Sequence, residues 1–178
     1  MALVIVLIII AVVVLSIIVM SNNLNKALVK IDEASSGIDV ALTKRYDVLT
    51  KMIETVKGYA KHENEVLFDV VKIRKGMTIE EKNEANKQMD ETLSKINVLA
   101  ENYPDLKASE NFKTLQDSIT DVEEHLQAAR RLYNANISSY NQMIVTFPIS
   151  IIAGTKGLTK REFFVAEEHK KQDVEIKF

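Results

Sequence analysis

The chain has 178 residues, a net charge of −2 and 47% apolar residues, so it is long enough for one folded domain with its own core. It contains no cysteine, which excludes disulfides, thiol catalysis and cysteine-ligated metal clusters. Its mixed charges and its lack of tryptophan argue against nucleic acid as a partner.

The first predicted element is an apolar segment at the N-terminus, where every residue except Ser16 is apolar from Ala2 to Met20. As a helix these nineteen residues would be about 29 Å long, close to the thickness of a bilayer's hydrocarbon core. A cleaved signal peptide would instead show a basic start, a shorter apolar region and a small-residue cleavage site. We therefore predict a retained transmembrane anchor over residues 1–21, with Ala2, Leu7, Val14 and Met20 in the lipid.

The residues on either side of this segment predict its orientation in the membrane. No charged side chain precedes it, whereas Lys26 and Lys30 follow it closely. Basic residues near a span favour the cytoplasmic side. The sequence thus predicts a single-pass protein of the cell membrane with a cytoplasmic body and the lipid bilayer as its first partner.

The second predicted element is a long amphipathic helix over residues 22–75, which Gly76 should terminate. Apolar residues recur there every three or four positions, with Ser35 and Arg45 filling gaps in the series. The apolar members are Leu24, Leu28, Ile31, Ile38, Leu42, Leu49, Ile53, Val56, Ala60, Leu67 and Val70.

Thr78 and Glu81 then form a capping-box pattern, which predicts a helix over about 79–102. The first half of that helix, residues 80–90, is nearly all polar and is expected to be a solvated flank. Tyr103-Pro104-Asp105 should end this helix, and Ser109 should be the N-cap of the next one.

The last long helix runs from Ser109 to Phe147-Pro148, and a short fourth helix should follow from Ile149 to Gly154 or Gly157. Short turns between these helices favour an antiparallel arrangement. The predicted fold is all-α: a transmembrane helix, then an up-and-down antiparallel bundle of three long helices plus a short fourth over residues 22–158. An extended tail, residues 159–178, completes the chain.

Several short segments, in order after the anchor, resemble one known family. They are Ile38–Asp47, Glu54–Glu63, Asn102–Ala108, Asn111-Phe112, Ala129-Arg130, Tyr133-Asn134, Tyr140-Asn141, Phe147-Pro148, Phe163-Phe164 and the closing Val174 and Phe178. At these residues the sequence resembles the LemA family of membrane-anchored bacterial proteins. The resemblance implies a helical bundle behind one span, in a family without an established catalytic activity. Family members are discussed alongside membrane stress and proteolysis factors, and some alongside membrane shaping.

Two Tyr-Asn pairs, Tyr133-Asn134 and Tyr140-Asn141, lie seven residues apart and therefore on one helix face. They could line a site for a ligand or a partner helix. Alternatively, the tyrosines could place their rings in the core and their hydroxyls on partners, which would fix the helix register.

A charged patch on the first helix is formed by Asp39, Lys44, Arg45 and Asp47. Pairing within the helix, of Asp39 with Thr43 and Lys44, would account for most of it. Because Arg45 lies on the apolar stripe, it could form a buried structural pair or contribute to a partner site.

No metal, cofactor or catalytic site is predicted. Asp121 and His125 are four residues apart, and His62-Glu63 could add ligands, yet no metal-binding helix motif accompanies them or His169. Phosphate-binding and nucleophile-elbow motifs are also absent from the sequence.

The tail carries scattered apolar residues that form no helix stripe. They could fold back over the bundle or dock on a neighbouring subunit, and docking on a neighbour is the preferred hypothesis for an oligomer. The residues concerned are Phe163, Phe164, Val174, Ile176 and Phe178.

The sequence-based hypothesis is a non-enzymatic membrane protein whose coiled-coil-like helical bundle self-associates into a homo-oligomer, as a scaffold or membrane organiser. The alternative is a membrane-tethered sensor or adaptor that binds a ligand or a membrane protein partner in envelope stress or proteolysis.

Overall fold

The computed structural model describes residues 1–59, 70–74 and 76–164. Its helices are α1 (Ala2–Tyr59), α2 (Ile79–Asn102), α3 (Pro104–Ala108), α4 (Glu110–Val145) and α5 (Ile149–Thr155). Within these ranges there is no strand, so the all-α prediction is confirmed, and α1, α2 and α4 are its three long helices. The up-and-down bundle and the domain boundaries stay predictions.

The apolar segment and the first amphipathic helix are one uninterrupted helix, α1. The prediction that this helix continues to Lys75 is wrong, because residues 70–74 are not helical. Val70 and Ile73 nevertheless pack against a buried apolar cluster. An apolar series does not by itself distinguish a helix from an irregular segment that buries the same side chains. Ala60 and Leu67 lie outside the described residues.

The ends of the later helices follow their local sequence signals. The amide of Glu81 donates to Oγ1 of Thr78 over 3.2 Å, and the amide of Thr78 donates to Oε2 of Glu81 over 2.7 Å, which confirms the capping box. Ser109 accepts a 3.5 Å hydrogen bond from the amide of Phe112 at the start of α4. The short fourth helix is confirmed as α5.

The break at Tyr103-Pro104 contains a short helix, α3, that the sequence pattern did not predict. Pro104 occupies its first turn, where the missing amide hydrogen costs nothing. Leu106 is fully buried in this segment. Burial of that side chain accounts for an ordered turn where only a break between helices was predicted.

The chain divides into two compact units. The first comprises Met1–Ser36 and Arg131–Phe163, and the second comprises Gly37–Arg130 together with the chain from Phe164 onward. In the first unit the buried apolar residues are Leu24, Ile31, Ala34, Tyr133, Ile137, Tyr140, Ile144 and Ala153. The second unit contains a buried apolar cluster of Leu49, Met52, Ile53, Val56, Met89, Ile96, Leu99, Ala100, Leu106, Phe112 and Ile119.

The first half of α2 is not a solvated flank, so that prediction is wrong. Lys82, Ala85, Asn86 and Met89 are all buried there. Polar residues were expected to face water, but two of these four find charged or polar partners on other helices and can therefore be buried.

Candidate functional site

The N-terminal part of α1 is a candidate membrane span. Its most apolar stretch of 18 residues is not buried by any other described part of the chain. The hydroxyl of Ser16 donates a 2.8 Å hydrogen bond to the carbonyl of Val12, so its proton has a partner inside the helix. Of the predicted anchor residues, Ala2, Leu7 and Val14 are exposed and Met20 is half-buried.

A buried ion cluster joins three helices of the second unit. Arg45 of α1 is only 1% exposed. Its Nη1 donates to Oδ1 of Asn86 on α2 over 2.7 Å, and its Nη2 pairs with Oε1 of Glu123 on α4 over 2.9 Å and with Oδ1 of Asp90 on α2. The amide nitrogen Nδ2 of Asn86 also donates to Oδ2 of Asp90 over 3.1 Å. One guanidinium therefore binds groups from two other helices.

The chemistry of this cluster is suited to holding α1, α2 and α4 in fixed positions. Arginine has a planar fork of donors that can bind several acceptors in fixed directions. Arg45 is seven residues from both Ile38 and Met52, which are buried, so α1 must place its guanidinium in the interior. Asp90 and Glu123 are half-buried, which leaves part of each carboxylate in contact with water. The buried pair involving Arg45 is thus present, and its role as a partner site stays a prediction.

Asp39 belongs to a second contact between α1 and α2. Oδ1 of Asp39 lies 2.6 Å from Nζ of the buried Lys82. The hydroxyl of Thr43 donates to the main-chain carbonyl of Asp39 over 2.7 Å and not to its carboxylate. The prediction that pairing within the helix accounts for Asp39 is therefore wrong, because its carboxylate binds a cation from another helix.

The Tyr-Asn pairs of α4 hold the chain that follows α5. The hydroxyl of Tyr140 donates to the carbonyl of Thr159 over 3.2 Å, and that of Tyr133 donates to the carbonyl of Glu162 over 3.3 Å. The side chain of Asn141 makes two bonds with the main chain of Arg161: Nδ2 donates to the carbonyl over 2.9 Å, and Oδ1 accepts from the amide over 2.8 Å.

Both tyrosine rings are buried while their hydroxyls bind main-chain carbonyls, and Asn134 is half-buried on the same helix. The partners of these hydroxyls belong to the segment over 158–162 of the same chain. Four hydrogen bonds from side chains of α4 to the main chain of this segment therefore fix the register between the two. A role of the same side chains toward a ligand or partner helix stays a prediction.

Phe164 is buried in its own chain. It is 2% exposed, and the guanidinium carbon of Arg130 lies 4.8 Å from the centroid of its ring, which is a cation–π geometry. Docking on a neighbouring subunit is therefore wrong for Phe164, because its surface is already covered. Phe163 is 47% exposed and stays a candidate for docking. Val174, Ile176 and Phe178 lie outside the described residues.

Of the histidines considered as metal ligands, His125 makes a hydrogen bond within its own helix. Nδ1 of His125 donates a 2.7 Å hydrogen bond to the main-chain carbonyl of Asp121. Among residues 1–59, 70–74 and 76–164, no three histidine or acidic side chains are grouped so that they could hold a metal ion. His62, Glu63 and His169 lie outside those ranges.

Sequence reasoning missed four partners of the charged residues on α1. They are Lys82, which pairs with Asp39, and Asn86, Asp90 and Glu123, which bind Arg45. The first three are spaced four residues apart on α2, which places them along one helix face. Ala85 and Met89 lie between them on the buried side. This spacing, beside an arginine on an apolar stripe, is the signal that could have found the cluster.

Comparison with known proteins identifies the family of the chain. The profile of the LemA family matches residues 34–178. Protein LemA of Metamycoplasma hominis is 31% identical over 159 residues, which are 86% of this chain and 73% of that protein. Magnetosome protein MamQ of Magnetospirillum gryphiswaldense is 26% identical over 72 residues, which are 40% of this chain and 26% of that protein. Magnetosome protein MamQ 1 of Paramagnetospirillum magneticum is 28% identical over a stretch of the same length. By the extent of the profile match and the similarity to Protein LemA, the chain belongs to the LemA family.

Proposed function

We propose that this protein is a single-pass membrane protein whose helical body self-associates as a scaffold or membrane organiser and catalyses no reaction. The observation that carries the proposal is the uncovered apolar stretch at the start of α1, which continues without a break into the body. A surface of this size and composition is unfavourable in water and favourable in lipid. Helical continuity would fix the body directly at the bilayer.

The body is assigned to the cytoplasm. Lys26 and Lys30 are the first charged side chains after the span. Basic residues this close to a span favour retention on the cytoplasmic side.

Two features support self-association. Phe163 exposes an aromatic ring next to the buried Phe164, where a neighbouring subunit can reach it. In addition, the MamQ relatives are named as magnetosome proteins, which by analogy favours a role in organising a cell structure. Contact between copies is therefore the expected mode of action.

Membrane insertion is tested by fractionating cells that express the full chain and extracting the membranes with alkaline carbonate. The protein should stay in the membrane pellet with its N-terminal residues intact. Val12→Arg with Val13→Arg should release it, because each charge at the centre of a span costs about 3 kcal/mol. The matched control is Val29→Arg with Val40→Arg, which places the same charges at exposed apolar positions of the body. A soluble chain cleaved after the apolar segment would contradict the proposal.

Self-association is tested on protein solubilised in detergent, by electron microscopy and chemical cross-linking. Regular assemblies are expected, and deletion of Lys170 to Phe178 should dissolve them without loss of helix content. Phe163→Ser should weaken them, whereas Leu132→Ser, at another exposed position, should not. Cross-linked species that survive both changes would show that the tail is not the docking element.

The second candidate is a membrane-tethered sensor or adaptor. The observation that favours it is the Arg45 cluster, in which the half-buried carboxylates of Asp90 and Glu123 remain reachable from water while binding one buried cation. A partner that competed for either carboxylate would alter a contact shared by three helices. Isolated monomers or dimers in the electron microscope would favour this function over the scaffold.

A further inference from the structure

The first unit places a second apolar surface beside the candidate span. In α4 and the turn before α5, Val145 and Phe147 are exposed, and in α5 so is Ile151. Phe147 is 77% exposed and Ile151 is 60% exposed. Large apolar side chains that are exposed within one short stretch of a folded domain, as these three are within seven residues, mark a contact with a partner or a membrane.

The register of α1 and α4 fixes where this surface lies. Nδ2 of Asn136 donates to the carbonyl of Lys30 over 3.1 Å. Seven residues further along α4 is Met143, and seven residues back along α1 is Asn23; both line the same groove. The two helices are therefore antiparallel here, and the end of α4 at Val145 is level with Ser21, where the apolar stretch stops.

Two further contacts agree with this placement. Nζ of Lys156, which follows α5, donates to the hydroxyl of Ser21 over 2.6 Å. Ile149, at the start of α5, lines the groove together with Asn23 and Ala27 of α1. Both ends of α5 thus lie beside the first turns of α1 that follow the span.

The charges of this region suit an anionic surface. The first acidic residue after the span is Asp32, twelve positions beyond Met20 and thus about 18 Å along the helix. Lys26 and Lys30 precede it and line the groove. From His125 to Arg161 the chain contains no acidic residue. The first unit as a whole has six basic residues, Lys26, Lys30, Arg131, Lys156, Lys160 and Arg161, against three acidic ones, Asp32, Glu33 and Glu162.

We propose that the turn between α4 and α5 is a second membrane contact, in which Phe147 and Ile151 enter the interfacial region of an anionic bilayer while Lys26, Lys30 and Lys156 bind its phosphate groups. Apolar side chains next to basic ones are the combination that holds a segment at a lipid interface. The inference rests on the proposed insertion of the span. It makes the end of the first unit that carries α5 a part that lies on the bilayer.

The test uses the absence of cysteine from the natural sequence. Single cysteines replace Phe147, Leu132 or Val12 in the full chain, and each carries an environment-sensitive fluorophore. The proteins are reconstituted into vesicles of phosphatidylcholine and phosphatidylglycerol with a nitroxide-labelled lipid as quencher. Leu132 is the matched control, because it is apolar, 58% exposed and on the same helix, yet thirteen residues before Val145 and so about 20 Å away.

The label at residue 147 should lose most of its fluorescence to the lipid quencher, and the label at residue 132 should lose little. Equal quenching at both positions overturns the proposal. The label at residue 12 separates the two hypotheses: if it is not quenched, the span itself is not inserted and the proposed function fails. Quenching at residue 12 without quenching at residue 147 overturns only the second contact.

The lysines are tested in the same assay. Quenching at residue 147 should be stronger in the mixed vesicles than in phosphatidylcholine alone. Joint replacement Lys26→Gln, Lys30→Gln and Lys156→Gln should abolish that difference, whereas Lys44→Gln with Lys51→Gln, at exposed positions of the second unit, should preserve it. An unchanged response to phosphatidylglycerol in the triple variant overturns the role assigned to these lysines.

Discussion

Arg45 interrupts a row of buried apolar residues on α1 with a buried guanidinium. Its partners Asn86, Asp90 and Glu123 come from two other helices, so its position is determined by tertiary contacts. Such a cluster is costly to break, because each charge left without its partner stays partly buried.

Arg45→Met should lower the free energy of unfolding by about 3 kcal/mol, because two neighbouring carboxylates lose their shared cation. Asp90→Asn should cost less, since Glu123 remains to bind the guanidinium. Urea denaturation in detergent, followed by circular dichroism, measures both. Lys44→Met changes an exposed neighbour and should stay within about 0.5 kcal/mol of the parent. Equal stability of the Arg45 and Lys44 variants would contradict a structural role for the cluster.

Tyr140→Phe should loosen the segment over 158–162, because the hydroxyl bond to the carbonyl of Thr159 is lost. The expected cost is about 1 kcal/mol, and Asn141→Ala, which removes two bonds to Arg161, should cost more. Hydrogen exchange of the amides in this segment reports the change. Gln142→Ala, at an exposed position of the same helix, is the control. Exchange rates that do not rise in either variant would exclude register fixing by these side chains.

At the level of a single helix, α2 shows how local and tertiary signals combine. Its first turn is fixed by Thr78 and Glu81, which satisfy each other's amides without help from the rest of the chain. Its buried face is fixed by contacts of Lys82 and Asn86 with α1 and by the burial of Met89. The start of a helix can therefore be predicted from four residues, while the face that it buries cannot.

Thr78→Ala should lower the free energy of unfolding by about 1 kcal/mol, because the amide of Glu81 loses its acceptor. Thr114→Ala is a suitable control: that hydroxyl bonds a carbonyl inside α4, at an exposed position, and its loss should be neutral or slightly stabilising. Thermal unfolding of the two variants distinguishes them. If both melt at the same temperature, the capping box contributes nothing to stability.

Across the complete chain, charge is distributed unevenly between the two units. The first unit, which contains the span, carries twice as many basic as acidic residues, although the chain in total is slightly acidic. A basic first unit and an acidic excess elsewhere agree with the proposed position of the body on the cytoplasmic side, where the leaflet is anionic.

The orientation leads to a labelling prediction. With Glu101→Cys, an exposed site on α2, a membrane-impermeant maleimide should label the protein only after the cells are lysed. The parent chain has no cysteine and serves as the blank. Labelling of intact cells would place the body outside and contradict the assignment made from Lys26 and Lys30.

Features that depend on neighbouring residues could be predicted from the amino-acid sequence. The apolar stretch from Ala2 to Met20, the cap at Thr78 and the end of α4 before Phe147-Pro148 are all local, and each was found in this way. The resemblance to the LemA family was also recognised from short segments of the sequence.

The identity of the buried polar residues, and of the groups that hold the chain after α5, depends on tertiary contacts. The partners of Arg45 are between 41 and 78 positions away, and those of Tyr140 and Asn141 about twenty. A polar side chain is expected in water unless a partner is known, and hydropathy patterns carry no information about partners so distant. For the same reason α1 was predicted too long, since Val70 is half-buried by packing against the apolar cluster and does not belong to a helix.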